Sequence, residues 1–326
     1  MNGIHSYVGL SRREFIGSSL ISSSLAASIL RTNSIAASPQ TIQLRLGGPL
    51  LTDPSDPGQW AVEMRKLGYS AASLPLTKFY DTKINDGLIK AYADAAARAH
   101  ITVSEIAEFF NTFPGEQERR KAIERWTLCL EVAERIGARC SVTVAGERIP
   151  RSFPGGPAAM NLSAETFDMV VENTRQVIDA VKPQRTYFAY QTMGWFIPNS
   201  PDSFVRLFKA VDRQRFAAHL DITNLIYGAD RYFNNAEFIR EIFAKLGPKI
   251  RSCHVKDVIL HTDQPIRILE VRPGLGKLDY RTLLREVSRF PETPILLEHL
   301  KTTEEFAAAS RYIRSVANEI GIGIRS

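Results

Sequence analysis

Short apolar or β-branched runs alternate with longer stretches of helical period along the chain from residue 41 onward. A short apolar run bounded by turn residues is typical of a buried strand, and apolar residues spaced by three or four predict an amphipathic helix. The predicted strands are residues 41–46, 70–74, 101–106, 138–145, 186–191, 215–221, 249–256 and 294–298. The predicted helices are residues 57–67, 84–98, 117–136, 163–181, 201–211, 235–246, 278–290 and 302–320, and residues 267–272 form a small extra ribbon.

Eight strands that are each followed by a helix predict an α/β fold, a (β/α)8 TIM barrel in a single domain. No shift in composition marks a linker within this part of the chain. A doubly wound open sheet is the alternative, and it would more often carry a glycine-rich phosphate turn after its first strand. Gly47-Gly48-Pro49 lacks that pattern, so the barrel is favoured.

The N-terminus carries a segment that does not belong to the barrel. Ser11-Arg12-Arg13-Glu14-Phe15-Ile16 resembles a twin-arginine export signal and precedes an uncharged, Ser- and Ala-rich apolar run. We therefore expect residues 1–37 to be a signal peptide, residues 38–326 to be the mature barrel, and the protein to be exported to the periplasm. An uncleaved anchor or an accidental arginine pair is the alternative. The apolar run is too short and too weakly apolar for a stable membrane span.

Composition argues against a nucleic-acid-binding protein and against a disulfide-stabilised one. The formal charge of +6 on 326 residues is mild, and no dense Lys/Arg tract suggests a nucleic-acid partner. The three cysteines lie in apolar surroundings without metal-ligand spacing, so we interpret Cys129, Cys140 and Cys253 as buried thiols rather than disulfide partners. The sequence does not indicate an oligomeric state.

Polar residues stand at the ends of several predicted strands. Barrel enzymes place their reactive groups at the C-terminal ends of strands, and the last four strands are neighbours. Carboxylates, an imidazole and an amide oxygen there suit Mn²⁺, Mg²⁺, Co²⁺ or Zn²⁺. Buried carboxylates without an arginine in register are also explained by a bound cation. The strand-end residues are Glu108, Gln191, Asp221, His254, Lys256 and Glu298.

Two of these positions also have a purely structural interpretation. His254 and Lys256 share a face of the seventh strand, where a core histidine beside a surface lysine is the alternative. Lys256 is also consistent with a structural ion pair to Asp257 or Glu298. His219 lies one layer deeper than Asp221, so we interpret it as a core histidine.

Several segments together resemble the xylose isomerase-like barrel superfamily of sugar isomerases and epimerases. The resemblance covers nearly all of residues 38–326. It implies one metal ion held by Glu, Asp, His and Glu from strands five to eight, and Asp221, His254 and Glu298 match in type. The segments are Ile106-Ala107-Glu108, His219-Leu220-Asp221 with Asn224, His254-Val255-Lys256-Asp257, Pro273-Gly274-Leu275-Gly276 with Asp279-Tyr280, and Leu296-Leu297-Glu298-His299.

The fifth strand departs from that pattern, because Gln191 stands where the resemblance implies a glutamate. A glutamine offers a carbonyl oxygen to a metal ion but carries no charge and cannot act as a base. We expect Gln191 to be a weaker fourth ligand, and two-base epimerisation is put in doubt. Glu298 is then the candidate for proton transfer, aided by Lys256 or Glu108, with a role as metal ligand alone as the alternative.

Substrate contacts are expected from the loops at the strand ends. Asn224 is a candidate for binding a substrate hydroxyl, or alternatively a water. Trp195, with Phe153 and Phe196, is a candidate for stacking on a sugar ring, and packing in the core is the alternative.

These residues predict a metal-dependent enzyme that transfers a proton next to the carbonyl of a sugar or keto-sugar derivative. Isomerisation or epimerisation is implied by the resemblance, whereas elimination from a keto-glycoside by a lyase needs only one strong base. A carbohydrate-binding barrel without turnover is the alternative from another class, and Gln191 favours it. An endonuclease on the same fold would need a histidine-rich multi-metal cluster, and only five histidines follow the signal segment.

Overall fold

Eight parallel strands close into a barrel whose seam lies between the first and the last of them. The computed structural model describes residues 43–52, 54–109, 115–149 and 156–325. The barrel strands are β1 (Gln43–Gly47), β2 (Ala71–Pro75), β3 (Thr102–Ala107), β4 (Cys140–Thr143), β5 (Phe188–Gln191), β6 (Phe216–Asp221), β7 (Ile250–Val255) and β10 (Ile295–Leu297). The predicted TIM barrel is therefore confirmed, and residues 1–37 and Phe153 lie outside the described residues.

The helices of the described chain cover the outside of this barrel. They are α1 (Pro57–Lys66), α2 (Asp86–Arg98), α3 (Glu116–Ile136), α4 (Ala164–Val181), α5 (Pro201–Val211), α6 (Ala229–Phe233), α7 (Asn235–Leu246), α8 (Tyr280–Ser288) and α9 (Thr303–Glu319). Ser163 caps α4 by accepting the Thr166 backbone N–H at 3.2 Å, as its position predicts. The short helix α6 follows β6 and was not predicted. None of the helices in these ranges combines the length and apolar character that a membrane span requires.

Three further strands in the described ranges lie outside the closed barrel of eight. β8 (Asp257–His261) and β9 (Arg267–Val271) form an antiparallel hairpin directly after β7, so the predicted ribbon at 267–272 has a partner that the sequence analysis missed. β11 (Gly323–Arg325) pairs with the beginning of β1 and was also not predicted. The hairpin matters for the site, because it stands beside the strand end that carries His254.

Parallel strands that are buried on both faces need apolar side chains outward and a filled interior. On β5, Tyr190 points outward and packs edge-on against Trp126 of α3, with ring centroids 6.0 Å apart. The next residue, Gln191, therefore points into the barrel. At the seam, Gly47 comes so close to β2 that a Cβ would lie 2.0 Å from the Ala71 carbonyl oxygen, so only glycine fits there. The three cysteines are buried and free, as predicted.

Candidate active site

The ends of β6, β7 and β10 bring two carboxylates and an imidazole together inside the barrel. Asp221 lies opposite His254 in the register of β6 and β7, and Glu298 follows the last residue of β10. One ligand atom from each of the three residues lies within 4.8 Å of the others. The convergence predicted for these strand ends is therefore present.

Lys256 lies between the two carboxylates. Its Nζ is 2.8 Å from Asp221 Oδ2, 2.8 Å from Glu298 Oε2 and 3.4 Å from Glu270 Oε2, and the side chain is 1% exposed. Burial alone would lower the pKa of Lys256, but these carboxylates outweigh it and raise the pKa above its usual range. Lys256 is therefore an ammonium ion held between two predicted metal ligands.

Asp257, the other partner considered for Lys256, faces away from the cluster. Its carboxylate accepts backbone N–H groups at 2.9 to 3.1 Å and so fixes the loop that precedes α8. The structure therefore supports the ion pair of Lys256 with Glu298 and not the one with Asp257. The four donors belong to Val258, Gly274, Gly276 and Leu278.

His254 is held by a carboxylate on each side of its ring. Nε2 lies 3.0 Å from Glu105 Oε1, and Nδ1 lies 3.0 Å from Glu298 Oε2. Burial would lower the pKa of His254, but Glu298 and Glu105 outweigh it and raise the pKa to about 10. Metal-binding histidines commonly donate their second N–H to a carboxylate, and Glu105 is placed for that role.

Glu105 is a residue of the site that the sequence analysis missed, and Glu108 is a correction. Glu105 is fully buried in the barrel, where it accepts a hydrogen bond from Ser252 Oγ at 2.9 Å. Glu108, three positions later, points outward to α3 and pairs with Arg125 at 2.7 Å. Side chains alternate along a strand, so Glu105 and Glu108 face opposite sides, and only Glu105 reaches the cluster. The alternation of β3 is the signal that could have found it.

His219 is the core histidine predicted from its depth. Its Nδ1 lies 3.1 Å from Glu105 Oε2, and its ring meets that of His254 edge-on at 4.2 Å. Burial and the neighbouring His254 lower the pKa of His219, so its imidazole is neutral at pH 7. His219 therefore positions Glu105 rather than adding charge.

Glu298 is ionised although it is mostly buried. Burial raises the pKa of a carboxylic acid, but His254 and Lys256 outweigh that effect and hold the pKa of Glu298 well below its usual range. Any change that moves Lys256 away would make this carboxylate a stronger base.

The four predicted metal ligands share one property that tests whether a metal ion fits. Each has a buried atom without a well-aligned hydrogen bond in the described part of the chain, and three of these atoms make ion-pair contacts of 2.8–3.0 Å with Lys256 or with one another. Buried polar atoms of this kind retain capacity to coordinate, so the residue types and their arrangement fit a divalent cation that would replace these ion-pair contacts. Lys256 Nζ makes ion-pair contacts but no well-aligned hydrogen bond. It contacts the same carboxylates as a bound metal ion would, so the ammonium group and the metal ion would compete for them. The atoms are Gln191 Oε1, Asp221 Oδ2, His254 Nδ1 and Glu298 Oε2.

The candidate substrate residues line a cleft next to the cluster. Asn224 donates its backbone N–H to Asp221 Oδ1 at 3.3 Å, and its side-chain amide donates to the Thr192 carbonyl at 3.2 Å. Trp195 lines the same cleft with 47% of its surface exposed, whereas Phe196 is buried in the core. Trp195 is therefore free to contact a ligand, and Phe196 is not.

Comparison with known proteins agrees with this architecture. The profile of the family described as xylose isomerase-like TIM barrel matches residues 62–316. No curated protein sequence matches the chain. Solved structures of similar fold include a D-tagatose 3-epimerase-like protein, a D-psicose 3-epimerase, a probable 3-DHS dehydratase and an endonuclease IV.

Three solved structures illustrate the likeness. A xylose isomerase-like TIM barrel protein from Mycobacterium smegmatis in complex with magnesium is 16% identical, with a TM-score of 0.62 over 86% of this chain and 98% of that one. The 3-keto-D-glucoside 4-epimerase of E. coli is 14% identical, with a TM-score of 0.62 over 84% and 100%. The D-psicose 3-epimerase of Clostridium cellulolyticum H10 with D-tagatose is 13% identical, with a TM-score of 0.61 over 86% and 97%. The family profile covers most of the chain, and the chain belongs to the xylose isomerase-like TIM barrel family.

Proposed function

We propose that the protein is a divalent-metal-dependent enzyme that transfers a proton next to the carbonyl group of a sugar or keto-sugar derivative, as an isomerase or epimerase. The observation that carries this proposal is the convergence of Asp221, His254 and Glu298 at the ends of β6, β7 and β10, with ligand atoms within 4.8 Å of one another, beside the buried Gln191 Oε1 that forms no hydrogen bond in the described structure. The magnesium complex and the sugar epimerases among similar folds support it.

Asp221, His254 and Glu298 would hold the metal ion, with Gln191 as a neutral fourth ligand. A divalent cation bound there would polarise the substrate carbonyl and acidify the adjacent C–H bond. Glu298 accepts the proton from that carbon, and Lys256, as an ammonium ion, stabilises the negative charge that develops on the oxygen. Glu105 fixes the ring of His254 through Nε2.

This residue set favours reactions that need one base. Gln191 cannot accept a proton. Of the two proposed ligands at the ends of β5 and β10, Glu298 is therefore the one that can act as a base. In an isomerisation, Glu298 returns the same proton to the neighbouring carbon, while a hydroxyl proton moves from one oxygen of the enediol to the other. In an elimination from a keto-glycoside, the electron pair of the broken C–H bond forms a C=C bond, the C–O bond to the leaving alcohol breaks, and its oxygen takes up the proton that Glu298 accepted. Both reactions fit this residue set more closely than a two-base epimerisation.

Two measurements test the proposal. Metal analysis of the purified protein, followed by titration with Mn²⁺, should show one bound ion per chain. In ²H₂O, a panel of sugars and keto-sugars should include one that exchanges the hydrogen next to its carbonyl. Glu298→Gln should abolish this exchange, whereas Glu108→Gln, a carboxylate outside the cluster, should retain it. Absence of a bound ion in the wild type, before and after adding Mn²⁺, would exclude the metal-dependent mechanism.

A carbohydrate-binding barrel without turnover is the second candidate, and the position of Lys256 favours it. An ammonium ion already pairs with both carboxylates, so the cluster holds a cation of its own without a metal ion. Sugar binding that is unaffected by EDTA, with no hydrogen exchange across the panel, would support this candidate.

We also propose that the chain is exported through its twin-arginine segment. Replacement of Arg12 and Arg13 by lysine should retain the protein in the cytoplasm of a bacterial host. Periplasmic recovery of the double variant would contradict export by that route.

A further inference from the structure

A cleft of about 810 Å³ opens beside the cluster, at the mouth of the barrel. One wall is the β8–β9 hairpin, which contributes Leu260, Ile266 and Ile268, and the other is formed by the segments that follow β5 and β6. Its volume lies in the upper part of the range of small-molecule sites, about 300–1,000 Å³. A single sugar at the cluster would leave most of this space open.

The cleft adjoins the proposed reaction site through two of its lining residues. Thr223, on its floor, donates its hydroxyl to Asp221 Oδ1 at 2.7 Å. Glu270, on the hairpin wall, lies 3.4 Å from Lys256 Nζ. A ligand whose sugar reaches the cluster would therefore extend into the cleft.

Exposed aromatic side chains are concentrated in this cleft. Within the described residues, the exposed large aromatic side chains are Trp195, Tyr227 and Phe233, with 47%, 45% and 68% of their surfaces exposed, and all three line the cleft. The rings of Trp195 and Tyr227 are 5.6 Å apart and inclined by 36°. Contiguous exposed apolar surface of this kind marks a ligand site.

We propose that this cleft binds a flat apolar ring attached to the sugar, so that the substrates are glycosides with an aromatic aglycone. The inference rests on the proposed function, because it takes the sugar to lie at the Asp221–Glu298 cluster. The lining carries one cation, Arg267, and one anion, Glu270, so it offers no cationic cluster for a phosphate. A second sugar ring would need polar partners along its edge, whereas Ile226, Val258, Leu260, Ile266 and Ile268 are aliphatic.

Trp195 itself provides the measurement. The other two tryptophans, Trp60 and Trp126, are buried, so quenching by a ligand in the cleft reports on Trp195. We expect 4-nitrophenyl β-D-glucopyranoside to quench the fluorescence and to bind at least tenfold more tightly than methyl β-D-glucopyranoside or cellobiose. Equal affinity for the three glycosides, or an aryl glucoside that does not quench, would overturn the inference.

Calorimetric titration of cleft variants with each glycoside locates the binding site. Trp195→Ala and Phe233→Ala should each weaken the aryl glucoside at least fivefold and leave the methyl glucoside unchanged. Val205→Ala, at an exposed apolar position on α5, is the matched control and should bind like the wild type. Unchanged binding in both cleft variants, or a dimer by light scattering that dissociates when Phe233 is replaced, would assign the surface to another occupant.

Metal titration of the same preparations separates the two proposals. If Mn²⁺ binds but the aryl glucoside does not, only the aglycone inference fails. If the aryl glucoside binds in the cleft of a protein that takes up no metal ion, the metal-dependent function fails and the cleft assignment stands.

Discussion

Replacement of Lys256 by methionine removes one positive charge from the centre of the barrel and keeps a side chain of similar length. In the wild type, the ammonium lies 2.8 Å from both Asp221 Oδ2 and Glu298 Oε2. Its loss leaves two buried carboxylates that face each other with His254 as the remaining cation. We expect the metal-free variant to be destabilised and to bind a divalent cation more tightly than the wild type.

The magnitude follows from burial. Removing one partner of a buried ion pair costs about 3–5 kcal/mol, because the other partner is left uncompensated. At about 2–4 °C per kcal/mol for a domain of this size, the melting temperature in EDTA should fall by roughly 6–20 °C. A divalent ion and an ammonium about 4 Å apart repel by several kcal/mol at an effective dielectric constant of about 20. Lys256 can relieve part of this repulsion by moving toward Glu270, so we expect a tightening of at least tenfold.

The assay is urea unfolding of both proteins in EDTA and in Mn²⁺, with calorimetric titration of Mn²⁺ into each. A cation at 100 times its dissociation constant stabilises the folded state by about 2.7 kcal/mol, so Mn²⁺ should restore most of the lost stability. Lys245→Met is the matched control. Lys245 also contacts two carboxylates, Asp202 at 2.6 Å and Glu241 at 2.7 Å, but it does so at the surface, where the cost is about 0–1 kcal/mol.

The result that would refute this reasoning is a Lys256→Met protein no less stable in EDTA than Lys245→Met. Weaker Mn²⁺ binding in Lys256→Met would refute the predicted tightening of metal binding, since it would mean that the ammonium group assists the metal ion instead of competing with it.

Three further predictions concern the same cluster and its support. Gln191→Glu should tighten Mn²⁺ binding in a calorimetric titration, because it adds a charged ligand; unchanged affinity would remove Gln191 from the ligand set. The pKa of His254 is raised from 6.5 to about 10, so protonated His254 should stabilise the metal-free protein fully below pH 6.5. This stabilisation should be lost as the pH rises through 10, and urea unfolding in EDTA should show a fall of a few kcal/mol in the free energy of unfolding. A His254→Gln protein should lack this loss, and Mn²⁺ affinity of the wild type should rise with pH over the same window, because binding displaces a proton. Asp257→Ala should lower the free energy of unfolding by about 3–5 kcal/mol, since four backbone N–H groups lose a charged acceptor, and a cost below 1 kcal/mol would show that water replaces it.

The barrel could be predicted because its signals are local. Each strand is a short apolar run, and several helices carry an explicit end signal, such as Ser163 before α4 and Gly137, with φ of 79°, after α3. β8 and β11 were missed, whereas β9 was predicted as the ribbon at 267–272. β8 follows β7 after a single residue, Lys256, and β11 is three residues long. Their pairing depends on tertiary neighbours, which a local pattern does not contain.

The convergence of Asp221, His254 and Glu298 was predictable because it depends on strand ends, whereas the surrounding contacts depend on side-chain direction. Glu108 was preferred for its position after β3, but the alternation of that strand turns it toward Arg125 and turns Glu105 inward. The partners of Lys256 could not be resolved from the sequence either, because Asp257 and Glu298 are both acidic and only the fold assigns Asp257 to backbone N–H groups.

The charges of the cluster give Gln191 and Lys256 a common explanation. Apart from the more exposed pair of Glu270 and His299, the carboxylates of Glu105, Asp221 and Glu298 face two cations, Lys256 and protonated His254, which leaves one negative charge unbalanced. A divalent ion that displaces the proton from His254 brings the sum to zero, with Lys256 still charged. A glutamate in place of Gln191 would leave that metal-bound cluster negative again. Since buried charge is costly unless it is compensated, a neutral fourth ligand is the residue that suits a site which keeps a lysine beside its metal ion.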